Sequence, residues 1–185
     1  MKIVSSEFQS PRRHGRTEAV ILFAVSGQTF AIAASAIDEI RSTDSFSSTA
    51  SEIVVTGMPK VRHRVRRGRK WCYVVNACAH FDLPVSRPTL VLVLHNSRVA
   101  VLVDQIDRIE TISRLMVVPR SFSGPERTWY RGLTLIDESV VPVLSPFGFL
   151  TDSEIAQLDA HDGSAAISVQ SEGARRWSET SGALR

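Results

Sequence analysis

The chain has 185 residues, 43% of them apolar, with two cysteines, a formal net charge of +3 and a pI near 9.2. That length and composition allow a buried core in one domain or in two small units, and they exclude wholesale disorder. No apolar run reaches the ~18–20 residues of a membrane span, and Met1-Lys2-Ile3-Val4-Ser5 is too short an apolar start for a signal peptide. Two cysteines in that setting are read as free thiols in a reducing compartment, so a cytoplasmic protein with no membrane insertion is expected.

Residues 1–18 are polar, with Pro11, Gly15 and three arginines, and read as a flexible tail. Ile21–Val25 and Phe30–Ala34 then flank Ser26-Gly27-Gln28-Thr29, a hairpin whose Gly27 tolerates the positive φ of a tight turn. Ile37-Asp38-Glu39-Ile40-Arg41 fits a strand or a single helical turn. Ser42 to Ser51 is rich in serine and threonine and reads as a surface excursion. Ile53-Val54-Val55 is a short strand. The basic run Arg62-His63-Arg64-Val65-Arg66-Arg67-Gly68-Arg69-Lys70 leads into a strand from Trp71 to about Ala77, and Leu83 to Pro88 is a linker.

The second half opens with the most strongly patterned stretch of the chain. Leu90–Leu94 and Val99–Val103 flank His95-Asn96-Ser97-Arg98, a β-hairpin buried on at least one face. Ile109 to Val118 leaves room for another strand before a Pro- and Gly-containing loop, Pro119 to Arg127. Trp129–Ile136 and Val140–Leu144 pair around Asp137-Glu138-Ser139, and Thr151 or Asp152 caps a short helix through Leu158. Residues 159–185 read as a second flexible tail.

The hairpin of the second half echoes that of the first without a gap, and Ile106-Asp107-Arg108-Ile109 answers Ile37-Asp38-Glu39-Ile40. Arg67-Gly68, Val74-Val75 and Phe81 are echoed by Arg131-Gly132, Val140-Val141 and Phe147. One β unit is therefore written twice, over about 20–83 and 90–150. Short strands, tight turns and little helix favour an all-β pair of small barrels. Barrels of ~60 residues are marginal alone, so two copies packed face to face gain from sharing an apolar interface.

No catalytic motif is present: neither Gly-x-Ser-x-Gly, nor a phosphate-cradling Gly-rich loop, nor His-Glu-x-x-His. Cys72, Cys78 and His80 fall on one face if a strand continues through them. At ~3.3 Å per residue the two thiols would lie about 20 Å apart, too far to share a zinc. No enzyme activity, cofactor or metal is expected, and the five histidines are assigned surface or loop positions. The basic patch of Arg62, Arg64, Arg66, Arg69 and Lys70 admits three readings: a solvated loop, a dock for an acidic protein partner, or a nucleic-acid interface using Trp71 and Tyr73. Arg67, paired with Gly68 and echoed at Arg131-Gly132, reads as a turn before a strand. On Ile37–Ile40, alternation places Ile37 and Glu39 on one face. Isoleucines of the two Ile-Asp-x-Ile motifs that are not core would form an adhesive patch.

Over roughly residues 19–158 the order of these motifs resembles the CheW-like coupling domains of bacterial chemotaxis and related motility systems. Ile21–Val25 with Gly27 and Phe30-Ala31-Ile32 is similar to the family's F-x-L-x-G-x-x-Y-A-I hairpin. Ile37-Asp38-Glu39-Ile40-Arg41 resembles V-x-E-I-R, and Arg67-Gly68 with Val74-Val75 resembles N-L-R-G-x-x-x-P-V-x-D-L. Leu102-Val103-Asp104-Gln105-Ile106 is similar to L-V-D-x-V. Tyr130-Arg131-Gly132 and Glu154–Leu158 match the closing hairpin and helix more loosely.

The resemblance implies two SH3-like five-stranded β-barrel subdomains sharing a hydrophobic core, with a short C-terminal helix. It also implies a non-catalytic adaptor that binds the cytoplasmic hairpin tip of a chemoreceptor and the regulatory domain of a histidine kinase. Partner-binding positions carried over from the family are Ile37, Glu39, Arg67, Gly68, Ile106 and Ile109. The chain departs from the pattern around Arg67: Val65-Arg66 replaces Asn-Leu, and the Pro and Asp of the next strand are missing. The resemblance then implies a divergent member whose partner set differs.

Overall fold

A strand that is apolar at every position must be covered on both faces, and that requirement sets the architecture. The computed structural model describes residues 17–161. It contains β1 (Glu18–Val25), β2 (Gln28–Ala33), β3 (Ile37–Ser42), α1 (Thr43–Ser47), β4 (Ala50–Glu52), β5 (Val61–Arg67), β6 (Lys70–Asn76) and α2 (Ala77–His80). There follow β7 (Leu90–Leu94), β8 (Val99–Val103), β9 (Gln105–Ile112), β10 (Tyr130–Ile136), β11 (Ser139–Leu144) and α3 (residues 152–161). The strands form a five-stranded sheet, β10-β11-β2-β1-β9, and a six-stranded sheet, β3-β7-β8-β6-β5-β4.

Neither sheet is made of one half of the sequence. The hairpin β1–β2 takes β9, β10 and β11 from the second half, and β7–β8 takes β3, β5 and β6 from the first. β1 pairs antiparallel with β9 and β7 with β3, while β2–β11 and β8–β6 are parallel. The expected face-to-face packing of two self-contained copies is thus replaced by an exchange of hairpins. Local sequence holds no signal for this, because a hairpin of either half meets the same kind of neighbour in either barrel.

Both sheets curl into SH3-like barrels. In the first, the chain after β9 returns to β10 through Met116 and Leu133, whose paired N–H groups and carbonyls lie 2.7 and 2.9 Å apart. In the second, Arg67 of β5 reaches Asp38 of β3 at 3.0 Å, although three strands separate β5 from β3 in the sheet. Alternation then sorts the apolar residues into three cores. Val20, Leu22, Ala31, Ile112, Ile136, Val141 and Val143 fill the first barrel. Phe46, Val65, Cys72, Val74, Val91, Val93 and Ala100 fill the second. The alternate residues, among them Ile21, Phe23, Phe30, Tyr73, Val75, Leu92, Leu94, Val99 and Val101, meet in a seam between the sheets. The uninterrupted runs of β1, β7 and β8 serve a barrel with one face and the seam with the other.

Turns and staples fix this arrangement. The first hairpin turns on two residues, Ser26 and Gly27, both at positive φ, so its strands are longer than a four-residue break suggested. Asp104, in the Leu-Val-Asp motif, accepts the Ser26 backbone N–H at 2.6 Å and the hydroxyl of the linker residue Ser86, tying the halves together. Thr151 and Glu154 form a capping box at the start of α3: the Glu154 N–H donates to Thr151 Oγ1 at 3.2 Å, and the Thr151 N–H to Glu154 Oε2 at 2.8 Å. Leu158 is fully buried. The helix continues to residue 161, past the expected tail boundary, and Asp159 takes hydrogen bonds from the Tyr73 hydroxyl and both terminal Arg98 nitrogens at 2.6 Å. The rest of both expected tails lies outside the described residues.

Other readings need correction. Ser42–Ser51 is not a mere excursion: Ser42 caps α1, and Phe46 is buried in the second barrel. The short strand expected at Ile53–Val55 lies at Ala50–Glu52 instead. The strand from Trp71 stops at Asn76, whose side chain caps α2, so Cys78 and His80 are helical. The Arg-Gly echo is false. Gly68 sits in a hairpin turn at φ +60°, whereas Gly132 lies within β10, where a Cβ would stand 2.5 Å from the Met116 carbonyl oxygen. Phe81 packs against the seam but Phe147 is exposed, so that echo fails too.

Two stability predictions follow from this geometry. Glu138 stands at φ +64° beside Asp137 at +47° in the β10–β11 turn, a conformation that costs a side-chain-bearing residue about 1 kcal/mol. Glu138→Gly is expected to raise the unfolding free energy by about that amount in urea titrations. Asp104→Ala, which leaves the Ser26 N–H and Ser86 hydroxyl without their acceptor, is expected to lower it by about 2 kcal/mol.

Candidate functional site

The two Ile-Asp-x-Ile motifs lie on corresponding strands, β3 and β9, and both contain a β-bulge at the aspartate. Ile37 pairs with Leu94 and Glu39 with Val93, which leaves Asp38 without a partner residue. Ile106 pairs with Phe23 and Arg108 with Leu22, which does the same for Asp107. One extra residue reverses the alternation. Ile37 and Glu39 therefore face opposite sides of the sheet, contrary to the simple period of two. The two isoleucines of each motif instead share the seam side, because Ile37 and Ile40 oppose Leu94 and Leu92, and Ile106 and Ile109 oppose Phe23 and Ile21. Ile37 and Ile106 are half-buried against the seam, while Ile40 (44% exposed) and Ile109 (67%) project beyond it.

Around Asp38 the second barrel collects a polar cluster. The bulge directs its carboxylate to Arg67 at 3.0 Å and to His95 Nδ1 at 3.4 Å. The Arg67 hydrogen bond, followed by that of His95, holds the Asp38 carboxyl below its usual range. Glu39, exposed on the opposite side from Ile37, pairs with Arg41 two residues on at 3.2 Å. Ile37, Glu39, Arg67 and Gly68 are thus brought together on the second barrel. Ile106 and Ile109 belong to the first, where Arg108 bonds Glu110 and Asp137. The six carried-over positions make two rims, not one site.

Ile40, one of the isoleucines offered as an adhesive patch but absent from the carried-over positions, is made the counterpart of Ile109 by the bulge. Sequence reasoning missed Leu135 and Val140, which pair across β10–β11 at 61% and 58% exposure. Ile40 was legible in the repeat once a bulge was allowed. Leu135 and Val140 look like core by composition alone.

The basic run is a strand and turn, not a loop. β5 pairs with β4 on one side and β6 on the other, and Gly68 opens its turn at positive φ. Arg62, Arg66, Arg69 and Lys70 are exposed, and the Arg64 and Arg66 guanidiniums lie 4.2 and 5.0 Å from the centre of the Trp71 ring. Tyr73 is fully buried in the seam. The reading that uses Trp71 and Tyr73 as base-stacking platforms is therefore overturned: one ring is inside and the other is capped by cations.

Cys72 and Cys78 are free and buried. Desolvation pushes the Cys72 thiol up to about 11. Among the described residues no group of three or more His, Cys, Asp or Glu is placed to hold a metal ion. His80 is not a surface histidine: its ring lies 4.4, 4.8 and 5.3 Å from those of Trp129, Phe81 and Phe149. Neither of its nitrogens has a hydrogen-bond partner among the described residues. Burial first, and then the Lys60 ammonium, bring its pKa down to about 3.

Two small barrels joined by an apolar seam, with isoleucines projecting beside charge clusters on the edge strands β3 and β9, define an interaction scaffold. The family model described as CheW-like domain matches residues 19–154, and the chain belongs to that family of chemotaxis scaffold domains. The crystal structure of scaffolding protein TtCheW from Thermoanaerobacter tengcongensis superposes with a TM-score of 0.60 at 10% identity, covering 74% of this chain and 95% of that one. That likeness shows the fold. No curated protein matches the sequence. Among the described residues no helix is long and apolar enough to cross a membrane.

The neutral His80 makes acid sensitivity predictable. Its folded pKa lies below the ordinary 6.5, so the unfolded chain binds its proton first as pH falls, and stability drops from about pH 6.5 downward. Between pH 7 and 5, above the ordinary carboxylate range, unfolding titrations are expected to show a loss of about 2 kcal/mol. His80→Phe is expected to abolish most of that slope; an unchanged slope would assign it to other groups.

Proposed function

We propose that this chain is a non-catalytic cytoplasmic adaptor that couples the cytoplasmic hairpin tip of a chemoreceptor to the regulatory domain of a histidine kinase. Family membership supports the class. The observation that carries the reading is the pair of bulged Ile-Asp-x-Ile strands. On each, one isoleucine is anchored in the seam and the other, Ile40 or Ile109, is held out beside fixed charges. Apolar groups that shed water supply affinity, and neighbouring charges supply orientation and partner choice.

The two rims sit on different barrels, which suits a two-partner coupler. The Ile37–Glu39–Arg67–Gly68 rim would take one partner and the Ile106–Ile109 rim the other. Each interface would be small, about 800 Å² per partner or less, and gain strength by repetition in an array.

Calorimetric titration with kinase regulatory-domain and receptor cytoplasmic fragments tests the proposal. Ile109→Ser and Glu39→Lys are expected each to weaken one fragment by about tenfold, with unfolding free energy unchanged within about 0.5 kcal/mol. Ile106→Ser, which strikes the seam, is expected to destabilise the fold itself. Absence of binding to either fragment by the unaltered protein, or variants that bind as it does, would defeat the reading.

A further inference from the structure

The short helix α1 closes the mouth of the second barrel only in part. Beside it remains a cleft of about 360 Å³, within the size range of small-molecule sites. The inner wall is apolar: Phe46, Val74 and Val91 are buried there, and Leu102 packs against them. The lip is polar. On β4 and β5, Ala50 opposes Val65 and Glu52 opposes His63, and alternation turns all four toward the barrel core. One rung beyond the apolar pair, a carboxylate and an imidazole therefore stand over the cleft.

The polar groups of the lip accept hydrogen bonds and have few to give. The Thr43 hydroxyl donates its proton to the Thr89 carbonyl at 3.3 Å, and that of Ser47 to the Thr43 carbonyl at 2.7 Å. Each hydroxyl is left with lone pairs alone. The ionised Glu52 side chain is purely an acceptor, and among the described residues no ion pair or hydrogen bond engages it or the His63 ring. Arg41, whose backbone pairs with Val91 beside the cleft, is bound to Glu39 at 3.2 Å and does not answer Glu52. An apolar interior thus lies under a lip of negative charge and lone pairs.

We propose that this cleft binds a small organic ammonium ion with an apolar body. The body would lie against Phe46, Val74 and Val91, and the N–H groups would meet Glu52 and the Thr43 and Ser47 hydroxyl oxygens. An ammonium carries three donors and no acceptor, the complement of such a lip. An anion would face a carboxylate and lone pairs it cannot match. The volume suits a single-ring amine. The proposal uses none of the six rim residues invoked above, so a chain that binds a kinase fragment but not the amine keeps the adaptor reading and loses this one.

NMR titration of the full chain with 2-phenylethylammonium chloride tests it, read on the methyl groups of Val74, Val91 and Leu102. Saturable shifts centred on those methyls are expected, with a dissociation constant below about 1 mM. 2-Phenylethanol, which keeps the ring without the charge, is expected to bind about fivefold more weakly, and 3-phenylpropionate at least about tenfold. Glu52→Gln is expected to cost the ammonium about tenfold while leaving the alcohol's affinity and the melting temperature unchanged. Glu110→Gln, on the other barrel, is expected to change nothing. Absence of saturable shifts, shifts centred elsewhere, an acid that binds as well as the amine, or an unchanged amine affinity in Glu52→Gln would overturn the proposal.

Discussion

The seam between the two curled sheets holds the molecule together. Phe23, Phe30, Tyr73, Leu92 and Leu94 are buried there by strands whose opposite faces already fill a barrel. Burying one large apolar side chain is worth roughly 1.5–3 kcal/mol, and a barrel of this size cannot assemble enough such residues alone. Each barrel therefore completes the other's core. The exchange of hairpins strengthens this dependence, because hydrogen-bonded ladders as well as side chains cross between the halves.

The same seam decides where recognition can occur. β1, β2, β7 and β8 have both faces covered and offer partners nothing but turns. Free surface is left to β3, β9 and β10, and the projecting isoleucines and the Leu135–Val140 pair lie on these strands or their hairpins. Bulges at Asp38 and Asp107 adapt a core motif to that duty: a plain strand would set two isoleucines three apart on opposite faces, and one added residue puts both on the seam side, one anchored and one projecting. The aspartates so released are not idle, since Asp38 closes the second barrel through Arg67.

Much of this was legible in the sequence. The β7–β8 hairpin falls on the residues its apolar runs mark, the β10–β11 turn falls on Asp137 and Glu138, and Thr151 with Glu154 announces the last helix. The repeat of Ile-Asp-x-Ile marked the two rims. What escaped had physical reasons. A bulge costs one residue and leaves no compositional trace, so Glu39 was placed on the wrong face. Phe46 is a single aromatic among serines, and nothing local reveals that a barrel end needs closing. Trp71 and Tyr73, two apart, share one face of β6, and only their place along the strand leaves Tyr73 fully covered by the seam and Trp71 at its margin. His80 has no polar partner among the described residues, so its burial depends on rings that lie far along the chain, Trp129 and Phe149.

The exchange of hairpins also bears on how the chain is made. β1 and β2 emerge from the ribosome early, but the outer edge of β1 stays unpaired until Gln105–Ile112 has been synthesised, and that of β2 until Leu144 has appeared. Through that interval an apolar ribbon with two open edges is exposed to other nascent chains, which is the condition under which strands pair with strangers. A fragment ending at the linker would keep those edges open permanently. Expression of either half alone should therefore yield aggregates, and mixing the two halves should restore a soluble fold that neither reaches by itself.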